Sequence, residues 1–544
     1  MKADYILVGA GTAGCVLANR LTEDPSVSVI LIEAGPEDKK REIHIPAAFS
    51  ELFKSKVDWA YETPPQPHAN HRKLFLPRGK VMGGSSSINA MIYIRGHQAD
   101  YDHWGSLGNE GWTYNELLPY FKKGEKNTRL KDDLHGTDGE LTITDLQEPR
   151  ALSHAFVEAA AEAGFPLNPD FNGEQQEGFG LYQVTQKHGK RMSAAAAFIK
   201  PIRSRKNLTV LTETEVDSLV WNGLEITGVT ARKAGVTFRI AAEQEVILSA
   251  GAYNTPKILL QSGIGDGANL QELGIEVRKD LPGVGQNLQD HLIVPMVFDT
   301  YKQSTLETVR SVKSLLNYLI WTEGPLCSNV AEAGGFIRTK KGLDAPDIQF
   351  HFGPGYFYNH GFGIPTSGHG YSMGPTLLQP ESVGEVRLSG PSVYASPVID
   401  HHYLEAEEDV QTLRRGFEIG MNIADTKVMR RYFRGYHLPD QRLRNQQEIT
   451  DFVRQTAQTL YHPVGTARMG SDKMAVTDDR LRVHGVDRLR VVDASIMPKI
   501  VRGNTNAPVM VIAEKAADMI LEDRQGKKKL SAFRQGREAL TTGQ

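Results

Sequence analysis

Cysteine is nearly missing: Cys15 and Cys327 are the only two in 544 residues. One pair makes no disulfide framework, and a reducing compartment is the expected setting. Cys15 follows a glycine-rich turn near a predicted helix start, where it reads as a small buried packing residue. Long apolar runs are missing too. The longest, such as residues 507–513, fall far short of the ~18 residues that cross a bilayer and fit buried core better. Neither sign of charge dominates: 62 Lys and Arg face 65 Asp and Glu, a net charge of −3. A nucleic-acid binder would carry a basic surplus, so that class is set aside. No internal repeat or low-complexity block is visible, and no metal site is expected. The chain opens with a single Lys and runs straight into a strand, so no secretory leader is expected. The expected location is the cytoplasm, with peripheral contact to the inner membrane and the oligomeric state left open.

What is present is an ordinary globular composition, 40% hydrophobic and 23% charged. A chain of this length exceeds one simple core, so two domains are expected. Residues 4–9 form a short apolar strand that runs into Gly9, Gly11 and Gly14. Residues 15–21 place apolar side chains at helical spacing, and residues 27–32 read as a buried parallel strand ending at Glu33. This is a βαβ unit. A loop-rich region follows to about residue 150. Strand signals return at 208–211 and 245–248, and the second leads to a helix predicted to open at Pro256. Residues 292–454 mix extended segments at 347–350 and 385–388 with a helical stretch around 404–425, the pattern of an α+β insert. A strand at 489–492 and a helix from Pro508 to Leu521 close the fold. The tail 526–544, with Lys527, Lys528 and Lys529, reads as solvated.

The glycine turn has the context that makes it informative, because it follows a strand and opens a helix. Gly9 permits the tight turn, Gly11 lets a pyrophosphate approach the backbone, and Gly14 lets helix and strand pack. The helix N-terminus then favours the phosphates. Glu33 lies nineteen residues beyond Gly14, where its carboxylate can accept from ribose hydroxyls and would repel a 2′-phosphate. The turn alone does not choose between NAD and FAD. Residues 83–93 add a run of Gly and Ser followed by Asn89-Ala90-Met91-Ile92, small residues that bring backbone amides to a ligand.

Residues 79–102 resemble the first signature of the glucose–methanol–choline family of flavin oxidoreductases. Residues 251–265 resemble its second, and residues 281–291, ending in Asp290-His291, another landmark. The resemblance runs from residue 2 to about 522, nearest the choline dehydrogenase-like and alkanol dehydrogenase branch. It implies an α/β FAD-binding Rossmann-like domain, built discontinuously from residues 1–150, 205–291 and 455–525. An α+β substrate-binding domain, an antiparallel sheet plus helices, is expected from 151–204 and 292–454, with 526–544 as a polar tail. It implies FAD as cofactor. Gly9, Gly11, Thr12, Ala13, Gly14, Glu33 and Ala34 would hold its ADP half, with Trp59 and Val216 beside the adenine and Ala250 nearby. Val81, Gly84, Ser85 and Asn89 to Ile92 would meet the isoalloxazine. Asp493, Ala494, Asn506, Ala507 and Pro508 would meet the ribityl chain and pyrimidine ring. Some members attach FAD through a His just before the Asn at position 89; Ile88 stands there, so non-covalent binding is expected.

His462, in a His-Pro-Val-Gly-Thr motif, matches the family's catalytic base. Alcohol oxidation removes a hydroxyl proton and a carbon-bound hydride, and a near-neutral His suits the first task. Asn506 matches the second polar position, where it would stabilise charge on the substrate oxygen. Tyr461 reads as a flavin contact rather than an acid. The expected reaction is FAD-dependent oxidation of a small alcohol, primary by expectation, to the aldehyde, with oxygen or a quinone-type carrier as acceptor. Which alcohol is left open. The aromatic stretch from Phe352 to Tyr358 would either wall the pocket or pack in the core. The fold also hosts hydroxynitrile lyases and a light-driven fatty acid decarboxylase. The decarboxylase uses a Cys and an Arg where this chain has Ala331 and His351, which argues against it.

Overall fold

The computed structural model describes residues 1–301, 305–306, 311–365 and 367–541, with side chains to Gly526. Two sheets organise the chain. The first has seven strands and is built on the strand Lys2–Val8, which pairs in parallel with Val29–Ile32 and with Val236–Leu248. Leu208–Leu211 extends the parallel run beyond Val29–Ile32. All four residues of Val29–Ile32 are buried, as expected for a strand covered on both faces. The long strand Val236–Leu248 changes neighbours along its length. Its first half pairs antiparallel with Glu225–Lys233, and its last residues pair in parallel with Leu489–Val491. The chain's final strand is thereby laid beside its first sheet.

The second sheet has eight antiparallel strands, with Gly370–Leu377 near its centre, flanked by Met296–Thr300 and Ile348–Gly353. Gly178–Leu181 forms one end and Phe433–Leu438 the other. The amphipathic helix Glu407–Ala424 buries Val410, Leu413, Phe417 and Met421 against this sheet in a second core. The fold is thus an α/β Rossmann-like unit joined to an antiparallel sheet with helices. The turn Ala195–Ile199 packs with the first core, where Phe198 joins Leu17 and Leu21.

Two predicted helix boundaries are corrected. The helix expected to open at Pro256 opens at Gly251. Its start is held from the far end of the chain: Asp493 Oδ2 accepts from the Gly251 amide at 2.8 Å and the Thr255 hydroxyl at 2.6 Å. Local sequence holds no trace of such a cap. The helix expected over 508–521 runs from Asn506 to Thr541. Its apolar face ends near Leu521, but Asp523 pairs with Arg490 at 2.5 Å and with Arg480 at 2.9 Å, which extends the anchored length. Much of the tail 526–544 therefore continues this helix, and residues 542–544 lie outside the described residues. Cys15 and Cys327 are both buried and free.

Candidate active site

A cavity lined by residues of both sheets holds most of the predicted site residues. At one end are Gly9, Gly11, Thr12, Ala13, Glu33, Ala34, Trp59, Val216 and Ala250. The helix Thr12–Leu21 starts here with no side-chain cap. Its first amides are left for a ligand. Gly9 has φ +103, and a Cβ on it would lie 2.5 Å from the Ser249 carbonyl oxygen. Gly14 does not line the cavity; a Cβ there would sit 2.0 Å from the Gly9 oxygen, so it serves packing. Glu33 accepts from the Ala10 and Gly35 amides at 3.0 and 2.9 Å. Burial pushes its carboxyl up to about 7 against those two bonds and the nearby Lys80. Each oxygen keeps acceptor capacity for a ribose hydroxyl.

The middle of the cavity is floored by Gly84, Ser85, Asn89, Ala90, Met91 and Ile92. Val81 lies behind this floor in a small core with Phe49 and Phe53. A Cβ on Gly84, at φ +53, would lie 2.7 Å from Gly11 Cα, so the two glycine loops touch backbone to backbone. Arg191 clamps the loop from beneath. It donates to the carbonyls of Ser86, Asn89 and Ile43 and to Asn89 Oδ1, at 2.6–3.1 Å. Burial pulls this guanidinium down to about 9.

Asp493, Ala494 and Asn506 line the cavity, whereas Ala507 and Pro508 turn away from it. The expected pairing of Asn506 with His462 is corrected. Asn506 Oδ1 accepts from the Thr12 hydroxyl at 2.7 Å, tying together the starts of two helices. It is Asn504 whose Nδ2 lies 3.2 Å from His462 Nε2. Asn506 is the first residue of its helix and is held at that N-terminus, while Asn504 sits in the preceding loop.

A connected set of hydrogen bonds orients the His462 ring and backbone. Its amide donates to Asp290 Oδ1 at 2.7 Å, and Asp290 Oδ2 accepts from Tyr403 and Thr459 hydroxyls. Arg78 grips the Tyr461 carbonyl at 2.5 Å. His462 Nδ1 lies 3.0 Å from His291 Nδ1, and His291 Nε2 lies 3.1 Å from the Leu378 carbonyl. A carbonyl only accepts, so His291 carries its proton on Nε2 and offers a lone pair at Nδ1. His462 then carries its proton on Nδ1, which leaves Nε2 as a bare lone pair facing Asn504. Burial, helped by His291, His351 and Arg78, holds His462 well below its ordinary value, so the ring is neutral. His291 falls to about 4 and His351 to about 3, chiefly through burial.

Asn504 is oriented in turn. Its Oδ1 accepts from Gln349 Nε2 at 3.2 Å, and the same nitrogen donates to Tyr182 Oη at 3.0 Å. This points the Asn504 amide nitrogen toward His462. Tyr461 lines the cavity with φ +74, and its hydroxyl lies 2.7 Å from His360 Nδ1. Burial raises its phenol far above the ordinary range. The lining also holds the apolar Ile293, Pro295, Val330, Phe352, Phe357 and Met373, with Ser372 and Gln458 as uncharged polar groups. The aromatic stretch divides, because Phe352 and Phe357 line the cavity while Tyr356 and Tyr358 bond to Asp299 and His437. Ala331 and His351 also line it, a methyl and a neutral imidazole where the decarboxylase pattern needs a thiol and a cation.

Comparison with known proteins decides the family. Two family models described as GMC oxidoreductase match residues 3–293 and 380–513. The chain belongs to the GMC oxidoreductase family. It is 45% identical over 527 residues to an alcohol dehydrogenase [acceptor] of Pseudomonas putida, covering 95% of each chain. It is 44% identical over 531 residues to the mitochondrial choline dehydrogenase of Homo sapiens, covering 95% of this chain and 89% of that one. Among solved structures it resembles pyridoxine 4-oxidase from Mesorbium loti, with a TM-score of 0.87 and 33% identity over 95% of this chain and 98% of the other. Formate oxidase from Aspergillus oryzae gives a TM-score of 0.91 at 28% identity, over 96% and 99%. Members of this family bind FAD.

The cavity fits that cofactor. A Cβ would clash at Gly9, Gly14 and Gly84, the helix start above them is uncapped, and Glu33 sits at the end of the second strand. Sequence reasoning missed Asn504, His291, Gln349, Arg78 and Arg191. His291 closes the landmark at 281–291 and Asn504 lies two residues before Asn506, so only the choice within each stretch was lost. Gln349 and Arg191 carried no signal, since each acts through contacts more than a hundred residues away.

Proposed function

We propose that this protein oxidises an uncharged, apolar primary alcohol to the aldehyde, with FAD held non-covalently. The observation that carries the proposal is His462, a neutral imidazole with its Nε2 lone pair aimed into the cavity beside Asn504. Bound FAD supplies the acceptor for the substrate's carbon-bound hydride. The chain's own residues do the rest. His462 Nε2 takes the hydroxyl proton, replacing its contact with the Asn504 amide. Asn504 then donates to the oxygen as negative charge develops. His291 keeps the His462 proton on Nδ1, so the basic nitrogen is always the one facing substrate. Asp290 and Arg78 fix the backbone that carries the base. The glycine cradle and Glu33 bind the dinucleotide half, and the Arg191-clamped loop seats the other half. Ile88 supplies no nucleophile for a covalent flavin link.

The apolar lining supports the substrate class. Among the described residues, the carboxylates that line the cavity are Glu33, Glu215 and Asp493. Glu215 neighbours Val216 at the far end, and the two Asp493 oxygens already accept four bonds from Gly251, Thr255 and Ser495. A cationic alcohol would find no free carboxylate beside His462. The test is anaerobic mixing of the yellow holoprotein with a series of primary alkanols and with choline, following flavin bleaching. Alkanols should bleach it and choline should not; the reverse order sinks the substrate assignment. Readmitting air, or adding a quinone, then identifies the acceptor. Denaturation should release free FAD, and flavin remaining on the chain would refute non-covalent attachment.

A further inference from the structure

The helix Val312–Trp321 is turned inside out. Its buried residues are Ser314 and Tyr318, and Tyr318 donates to the His44 carbonyl at 3.0 Å. Its outward residues are Val312, Leu315, Leu316, Leu319, Ile320 and Trp321, with exposures from 41% at Leu315 to 74% at Val312. A lone exposed Leu needs no explanation, but six large apolar side chains on one ten-residue helix do. No helix among the described residues is long and apolar enough to cross a membrane, so any lipid contact is made from the side.

We propose that this helix docks the protein onto an anionic lipid surface. The face is too small for a protein partner of its own. Ten residues of helix span ~15 Å by ~10 Å, whereas stable protein interfaces bury ~800 Å² on each partner. A lipid surface needs no matched partner, only apolar side chains that insert and cations that meet headgroups. Both are present. Trp321 closes the helix, and its residue type favours the headgroup level. Lys313 is exposed on the helix itself. Arg41 lies close enough for its charge to act on the Tyr318 phenol, and it follows Lys39 and Lys40. Lys187 and Lys190 are exposed on the hairpin whose Gly189 abuts the Thr322 carbonyl and Cys327. The carboxylates in and beside these same stretches of sequence are Asp38, Glu42, Glu148 and Glu323, fewer than the cations, and Glu37 is paired with Arg203 at 2.6 Å. The same helix packs through Tyr318, with Leu326 and Cys327, on Ile45 and Ala48. That turn, Pro46–Leu52, carries Phe49 of the cavity wall. Docking would therefore place this helix between the bilayer and the turn that carries Phe49.

The test is sedimentation of the FAD-loaded protein with phosphatidylglycerol vesicles and with phosphatidylcholine vesicles. Wild type should sediment with the first and much less with the second. The double variant L316E/W321E should lose at least tenfold in vesicle-bound fraction, while Trp321→Phe keeps it. Both positions are exposed, so flavin content and bleaching by a soluble alcohol should be unchanged and report an intact fold. Wild type that stays in solution, a double variant that still sediments, or equal binding to both lipids would overturn the proposal. A molar mass in light scattering that halves in the double variant would also overturn it, because a second copy of the chain would then cover the helix.

Discussion

At the residue scale the site turns on one nitrogen. His462 Nε2 carries no proton because a carbonyl, then His291, dictate where each proton sits. His462→Ala should keep FAD bound and slow flavin reduction by about 10²–10⁴-fold, the usual worth of a positioned base. The check is stopped-flow reduction with flavin content measured on the same sample. Because burial holds His462 well below its ordinary value, wild-type reduction should lose rate only on the acid side, below ~6.5. That acid limb should vanish in the alanine variant. Asn504→Leu should also slow reduction while keeping the limb, since in the proposed mechanism the amide stabilises charge and carries no proton. Equal rates for Asn504→Leu and wild type would return the role to Asn506. Asn506→Ala should act differently: it removes the acceptor of the Thr12 hydroxyl and should show first in FAD retention.

At the scale of elements, the cavity depends on loops from distant places meeting without side chains between them. The first glycine turn and the Gly84 loop meet where a Cβ would lie 2.7 Å from Gly11 Cα, in a left-handed conformation at φ +53. Backbone on both sides cannot yield as a flexible side chain would. Gly84→Ala should therefore push the loops apart and strain the turn, by ~1–3 kcal/mol. The measurement is the fraction of FAD retained after gel filtration, which should fall sharply while circular dichroism stays near wild type. A variant that retains FAD fully would show that the loops are not packed as tightly as described. Arg191 works on the same element from below. Its bonds to three carbonyls explain why a buried cation is tolerated without a carboxylate beside it.

At the scale of the whole molecule, buried imidazoles govern the response to acid. His291 and His360 sit at about 4 and His351 at about 3, all pushed down mainly by burial. Their unfolded value is ~6.5, so each contributes stability that is present above ~6.5 and lost as pH falls toward its folded value, on the order of 3–5 kcal/mol apiece at the limit. Glu33, at about 7, and Asp290 and Asp493, also raised, act oppositely. Their contribution is present below the unfolded carboxyl range and lost as pH rises through the folded value. The expected outcome is a melting temperature that falls between pH ~6.5 and ~4, with a shallower fall in His351→Gln. An unchanged slope in that variant would mean that the ring is protonated in the folded state.

By itself the sequence determined the βαβ start, the strand at 208–211 and the helix around 404–425, because the period of apolar residues is local information. It also determined most of the cavity lining, because glycines that allow close approach and the motif around His462 are written contiguously. Other features were decided only in three dimensions. The helix start at Gly251 is capped by Asp493, and the anchored length of the last helix is set by Arg480 and Arg490. The choice of Asn504 over Asn506 follows from a hydroxyl at residue 12 and an amide at residue 349. These are pairings across hundreds of residues. No periodicity records them, because the energy of a hydrogen bond depends on distance in space and not on separation along the chain.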